Sequence, residues 1–380
     1  MGPLRGMRGR DGVEHLITLD DSGRMVPTDR AALARAVAAE RDMKAIVYRS
    51  TGGPEVLELV ERPVPEPGPG EVRVKVRLSG VNPTDWKARS GSRGGTGGVE
   101  QVPNQDGAGA IDAVGKGVDP ALVGQRVWIW EAAWQRTDGT AQEYVVLPLR
   151  QAVPLPDGAS FELGASLGIP ALTAHRCLTV AEGGPDRLSP GALAGRTVLV
   201  AGGAGAVGNA AIQLARWAGA TVITTVSGSE KADLARSAGA QHVVNYRTED
   251  AAAAIRAVAP DGVDIVVEVA PGPNAELNVA VLAPRGTVAL YANDGGVGLT
   301  LPVLPLMFGN VGLQGVMIYT VPAAAKDHAV AGVSAAIADG ALQVGEKRGL
   351  PLHRFPIERV ADAHAAVERG AIGKVLIELP

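Results

Sequence analysis

Residues 71–78 alternate strictly, Glu-Val-Arg-Val-Lys-Val-Arg-Leu, the two-residue period of a strand with one apolar face. Short segments at 44–48, 109–114, 126–130 and 141–146, rich in Val, Ile, Trp or Tyr or set between turns, predict further short strands. The lead-in at 63–70 holds four prolines, and residues 91–98 hold five glycines, which predicts a loop. Short strands broken in this way, from 43 to about 165, predict a β-rich, barrel-like domain.

The pattern changes in the middle third. Residues 197–201, Thr-Val-Leu-Val-Ala, form an apolar run between Gly195-Arg196 and a glycine cluster, as in a strand buried on both faces of a parallel sheet. A helix is predicted over 210–217, ended by Gly219, then a strand over 221–226 and a helix over 230–238 ended by Gly239. Residues 242–244, 264–269 and 286–291 supply further strands. Strands alternating with helices imply right-handed βαβ units and a doubly wound parallel sheet, so the fold class is α/β. Before Met43, residues 14–19 predict a strand, 20–23 a turn, and Thr28 an N-cap for a helix over 29–41. The first 42 residues read as an extension whose pattern assigns it no function.

Composition narrows the classes. Hydrophobic residues at 46% and charged residues at 20% are those of an ordinary globular chain. A net charge of -4 with only 3% aromatics gives no support to nucleic-acid binding. No run approaches the length of a membrane span, and Arg5, Arg8 and Arg10 are followed by no apolar stretch of a secretory signal, so a cytoplasmic location is expected. The single cysteine, Cys177, excludes an intrachain disulfide and a multi-cysteine zinc site.

The motif that carries chemistry follows the first parallel strand. Gly203-Ala-Gly205-Ala206-Val207-Gly208 is a GxGxxG string, extended by Gly202, between a buried strand and a helix. In that context it reads as a dinucleotide fingerprint: glycines admit a pyrophosphate to the backbone, and the helix N-terminus offers unpaired N–H groups. An NAD site usually carries an acid at the end of the second strand, but Thr224-Thr-Val-Ser-Gly228 has none. Ser227 and Lys231 instead suit the 2′-phosphate of NADP(H), with Glu230 beside the lysine at the helix start.

Several motifs in order carry a resemblance. Met43-Lys-Ala-Ile-Val-Tyr-Arg, Gly52-Gly-Pro-Glu-Val-Leu57, Ser79-Gly-Val-Asn-Pro83, the glycine turn, Val244-Asn-Tyr246 and Gly373-Lys-Val-Leu376 resemble the medium-chain dehydrogenases/reductases, in their zinc-free quinone oxidoreductase, or zeta-crystallin-like, branch. The resemblance implies a GroES-like catalytic domain beginning at 43–166, a Rossmann domain over 167–312, and a segment 313–380 that ends the sheet and returns to the catalytic domain. It implies a homodimer or homotetramer. Zinc-dependent relatives have a cysteine where this chain has Asn82, and Gly-His-Glu where it has Asn104-Gln105-Asp106, so no metal is expected.

By the same resemblance Asn82 touches the nicotinamide ribose and Thr173 lies near the nicotinamide. Ser227, Lys231, Tyr246 and Arg369 surround the 2′-phosphate, and Tyr291, Asn293 and Lys374 line the nicotinamide side. Related reductases place a tyrosine after the Asn-Pro or in the glycine-rich loop, and neither stretch has one here. Trp86 is left as a pocket wall, and Lys87 as either a proton donor or a solvated lysine. Trp128, Trp130 and Trp134 cluster near the expected domain interface, the first two on one strand face. The expected activity is hydride transfer from NADPH to a quinone, enone or enoyl thioester, with no nucleic-acid or membrane partner. An enoyl-thioester reductase in a biosynthetic complex, with residues 1–42 as its docking element, and a non-catalytic NADPH-binding protein are the alternatives.

Overall fold

The computed structural model describes residues 42–92 and 94–380, together with three earlier strands, β1 (Arg5–Arg8), β2 (Glu14–Leu19) and β3 (Met25–Thr28). These three form an antiparallel sheet, and the strand predicted over 14–19 is β2. Thr28 closes β3, so the strand runs through the residue expected to cap a helix. The helix expected over 29–41 and the turn expected over 20–23 lie outside the described residues.

Antiparallel pairing dominates the next part. β4 (Asp42–Val47) pairs β5 (Glu58–Pro63). β6 (Glu71–Val81) pairs β7 (Asp106–Val114), which pairs β8 (Arg126–Ile129); β9 (Tyr144–Pro148) lies on β6 and β10 (Ala152–Pro154) on β8. The alternation along β6 is realised physically: Val72, Val74 and Val76 are fully buried, each contributing about 1.5–3 kcal/mol of apolar burial. β8 is apolar on both faces because it separates two cores. Trp128 and, just past the strand, Trp130 enter one and Val127 and Ile129 the other, so those two tryptophans are packing residues. Helix α1 (Pro83–Arg89) springs from the end of β6, with Pro83 at its first position. Helices α2 (Phe161–Gly164) and α3 (Gly168–Leu178) lead into the second sheet.

That sheet is parallel throughout. β11 (Thr197–Ala201), β12 (Thr221–Val226), β13 (His242–Asn245), β14 (Val263–Glu268), β15 (Leu282–Leu290) and β16 (Gly312–Gly315) lie in the order β13-β12-β11-β14-β15-β16. This is the doubly wound order, with its switch point between β11 and β14. Helices α4 (Ala206–Trp217), α5 (Ser229–Ser237), α6 (Ala251–Val258), α7 (Ala275–Val281) and α8 (Val303–Gly309) connect the strands. Valines and leucines of β11 are buried on both sides, Val198 and Val200 in one cluster and Leu199 in another. Gly219 and Gly239 follow α4 and α5 with φ of 89° and 104°, the left-handed conformation expected of them.

After α9 (Ala323–Ala338) the chain returns to the first sheet. β17 (Leu352–Pro356) pairs β18 (Lys374–Glu378), which pairs β6 antiparallel, and α10 (Val360–Glu368) joins the two. No helix among the described residues is long and apolar enough to cross a membrane.

Candidate active-site cleft

The glycine turn is shaped by close packing. Gly202 takes φ of 70°, a Cβ on Gly203 would collide with Thr224 Oγ1, and a Cβ on Gly208 would collide with the Gly202 carbonyl. Thr224 Oγ1 is itself fixed, donating to the Val200 carbonyl at 2.7 Å. The turn therefore brings β12 and the first turn of α4 into contact with β11. Gly205 caps α4 without any side-chain hydrogen bond, so the first-turn N–H groups at Ala206 and Val207 face the open space before them.

That space is a cleft of about 1350 Å³ at the carboxyl ends of the parallel strands, bounded on its other side by the end of β6, α1 and the start of β18. Gly202, Gly205, Ala206 and Val207 form its floor. Gly203 and Gly208 are absent from the lining: they serve the packing of the turn and present nothing to a ligand. Ser227, Lys231 and Tyr246 line one end, with Lys231 Nζ donating to Ser227 Oγ at 3.1 Å. Glu230 is exposed and outside the lining. Arg369 is also outside it, because the chain turns at Gly370 and presents Gly370, Ala371 and Gly373 to the cleft.

At the other end lie Asn82, Trp86, Lys87, Thr173, Tyr291, Asn293 and Lys374. Burial, chiefly, pushes the Tyr291 phenol well above its ordinary pKa and keeps it protonated. Lys87 Nζ stands 5.8 Å from the centre of the Trp86 ring. Asn82 follows β6 and caps α1, and its backbone N–H donates to Asp85 Oδ2 at 2.7 Å. Its side chain belongs to a buried cluster: Asn82 Nδ2 donates to Asp106 Oδ2 at 2.7 Å, and Lys374 Nζ donates to Asn82 Oδ1 at 2.7 Å and Asp106 Oδ2 at 3.1 Å. Asp106 Oδ1 accepts from the Ile169 N–H at 2.8 Å, which ties β7 to α3.

The neighbouring polar groups are similarly engaged. Asn104 Nδ2 donates to Ser79 Oγ at 2.9 Å and its Oδ1 lies 3.1 Å from His364 Nε2, while Gln105 Oε1 accepts from the Ala133 N–H at 3.1 Å. Burial pulls the His364 pKa down to about 3, so this imidazole is neutral. Among the described residues, no three His, Cys, Asp or Glu side chains converge as a metal site.

Sequence reasoning missed Tyr319 altogether. It lines the cleft although only 5% of its surface is exposed, and its hydroxyl donates to Thr84 Oγ1 at 3.1 Å. Its ring stacks on Trp134, centroids 4.5 Å apart and planes 22° from parallel. Lys326 Nζ donates to the Tyr319 carbonyl at 2.8 Å and to Glu131 Oε2 at 2.7 Å. Burial outweighs Lys326 and raises the Glu131 carboxyl pKa. A phenol thus reaches the cleft from a segment 235 positions from Thr84, at a separation no local pattern could reveal.

Comparison with known proteins agrees with this architecture. Residues 68–157 match the alcohol dehydrogenase GroES-like domain and residues 206–334 the zinc-binding dehydrogenase domain. The chain is 31% identical over 344 residues to a quinone oxidoreductase of Lama guanicoe, across 90% of this chain and 98% of that protein. A mycobacterial quinone oxidoreductase structure superposes with a TM-score of 0.75 at 31% identity, covering 89% of this chain and all of the other (100%). A mycobacterial structure complexed with NADPH superposes with a TM-score of 0.72 at the same 31% identity and over the same 89% of this chain and 100% of the other.

Proposed function

We propose, from the premise that this chain belongs to the quinone oxidoreductase branch of the medium-chain dehydrogenase/reductase superfamily, that it is a zinc-independent, NADPH-dependent reductase of quinones or related α,β-unsaturated carbonyl compounds. The observation that carries this reading is the cleft's polarity. One end offers an uncapped helix N-terminus and the Ser227–Lys231 pair with no acid in the lining at the end of β12; the other is closed by the Asn82–Asp106–Lys374 cluster.

The residues fit a phosphorylated dinucleotide. The turn at Gly202, Gly205, Ala206 and Val207 holds the pyrophosphate, Ser227, Lys231 and Tyr246 the 2′-phosphate, and Asn82, Thr173, Tyr291, Asn293 and Lys374 the nicotinamide end. When bound, the reduced dinucleotide supplies hydride. The chain's own contribution is to align the acceptor and to limit water, with Trp86 and Lys87 on the acceptor wall. Zinc independence rests on chemistry at Asn82, where an amide takes the place of a thiolate and the Lys374 ammonium sits 2.7 Å from it. The exposed apolar residues of α8 and the outer edge of β16, unpaired among the described residues, support a homodimer, and the cytoplasmic assignment belongs to the same reading.

Chelator-treated protein should oxidise NADPH with at least one of 1,4-benzoquinone, phenanthrenequinone, a short enone and crotonyl-CoA. Preference for crotonyl-CoA would select the enoyl-thioester alternative, and tight NADPH binding without turnover the non-catalytic one. Lys231→Ala should weaken NADPH roughly 10- to 100-fold, the worth of a charge-assisted hydrogen bond, and leave NADH unchanged. Equal weakening of both would refute the phosphate site.

A further inference from the structure

We propose that Tyr319 is the hydroxyl that receives the acceptor's carbonyl oxygen and protonates it, with Thr84 relaying the replacement proton. This deepens the reductase reading and rests on it. A conjugated carbonyl that accepts hydride at carbon is left with an electron pair on oxygen, which needs a donor already in place. Tyr319 and Thr84 both line the cleft, the Tyr319 hydroxyl donates to Thr84 Oγ1 at 3.1 Å, and Thr84 is two residues beyond Asn82; a bound acceptor oxygen takes over that donation, and Thr84 then donates to Tyr319 in return.

The phenol is held rather than merely present. Trp134 covers a face of its ring, and Lys326, itself anchored on buried Glu131, fixes its carbonyl. The 131–134 segment and Lys326 thereby hold the ring and main chain that carry the hydroxyl, the kind of support that preorganises a donor. Thr84 is only partly buried and also lines the cleft, so its hydroxyl connects Tyr319 to solvent.

The step balances with a reduced nicotinamide dinucleotide as reductant. Hydride arrival forms a C–H bond on the acceptor, and the displaced pair moves to the carbonyl oxygen. The Tyr319 O–H bond breaks as an O–H bond forms on the acceptor. The phenolate then takes the Thr84 hydroxyl proton, and Thr84 recovers one from water.

The test compares wild type, Tyr319→Phe and Thr84→Val. Tyr319→Phe keeps the ring and its stacking on Trp134, and should lower kcat about a hundredfold while leaving the KM for NADPH unchanged. Thr84→Val should lower kcat with Tyr319 intact and enlarge the solvent deuterium isotope effect. A readout without dinucleotide is 4-nitrophenol, whose phenolate mimics the acceptor oxyanion: its visible absorbance should report binding to wild type that is about tenfold weaker in Tyr319→Phe, a loss of about 1.4 kcal/mol. Wild-type turnover with unchanged kcat and unchanged 4-nitrophenol affinity in Tyr319→Phe overturns this assignment and leaves the reductase reading standing. A wild type that turns over none of the four acceptors overturns the reductase reading, and this assignment with it.

Discussion

Lys374 and Asp106 are both almost wholly buried, so the 3.1 Å contact between them neutralises two charges that could not separately remain there. Lys374→Met should strand the Asp106 carboxylate and cost about 3–5 kcal/mol, read as a fall in the urea midpoint. Adding Asp106→Asn to that variant should recover much of the loss; failure to recover any would show that the lysine's packing, not its charge, matters. The sequence made Asn82 and Lys374 legible as cleft residues, because each sits in a short motif. The cluster they form with Asp106 was hidden, since Lys374 lies 292 residues from Asn82 and 268 from Asp106. Tyr319 and the Glu131–Lys326 pair were invisible for the same reason: each is defined by a partner in another part of the chain.

Helix α8 buries none of its residues and exposes Val303, Leu304, Met307 and Phe308, beside the strand β16 that ends the parallel sheet. An apolar helix next to an open strand edge is a costly surface for an isolated monomer. On the proposed dimer, Phe308→Glu should convert the particle to a monomer in sedimentation velocity, whereas an unchanged mass would place the contact elsewhere. β11 and β12 were legible to the residue, because each is a β-branched and apolar run close to glycines, whereas β15 starts at Leu282 rather than 286 and β16 carries no pattern that marks it as a strand. The start of α4 was set too late, at 210, since the glycines at 205 and 208 read as turn although the helix begins at Ala206. β9 was expected at 141–146 and lies at Tyr144–Pro148. Ala141 and Gln142 pair with β4 instead, the Ile46 N–H donating to the Ala141 carbonyl at 2.9 Å.

At the scale of the whole molecule, two buried imidazoles couple folding to acidity. His175, on α3, and His364, on α10, each have a pKa lowered by burial from 6.5 to about 3. Between those values the unfolded chain binds protons that the folded one refuses, so stability falls as pH drops from 6.5 towards 3. Each histidine contributes a slope of up to about 1.4 kcal/mol per pH unit, and neither contributes above the upper value. His175→Gln and His364→Gln should each flatten the fall of the urea midpoint over this range, and a slope unchanged in both variants would assign acid sensitivity to the carboxylates. Neither burial could be read from sequence, because each depends on packing between elements: the Leu188 N–H donates to His175 Nε2 at 3.1 Å, and Asn104 faces His364. The two sheets and their order of appearance were legible from pattern; the return of the last strands to the first sheet came only through resemblance.

That return sets a timetable for synthesis. β18 completes the edge of β6 at Val81, and Lys374 reaches Asn82 across 292 positions of chain. At translation rates of about 5–20 residues per second, the ribosome needs roughly 15–60 s to travel that interval. Throughout it the far end of β6 has an unclaimed strand edge and Asp106 has no cation. A nascent chain halted before β18 therefore lacks both a finished sheet and a finished cleft, and exposes a sticky edge to its neighbours on the same polysome.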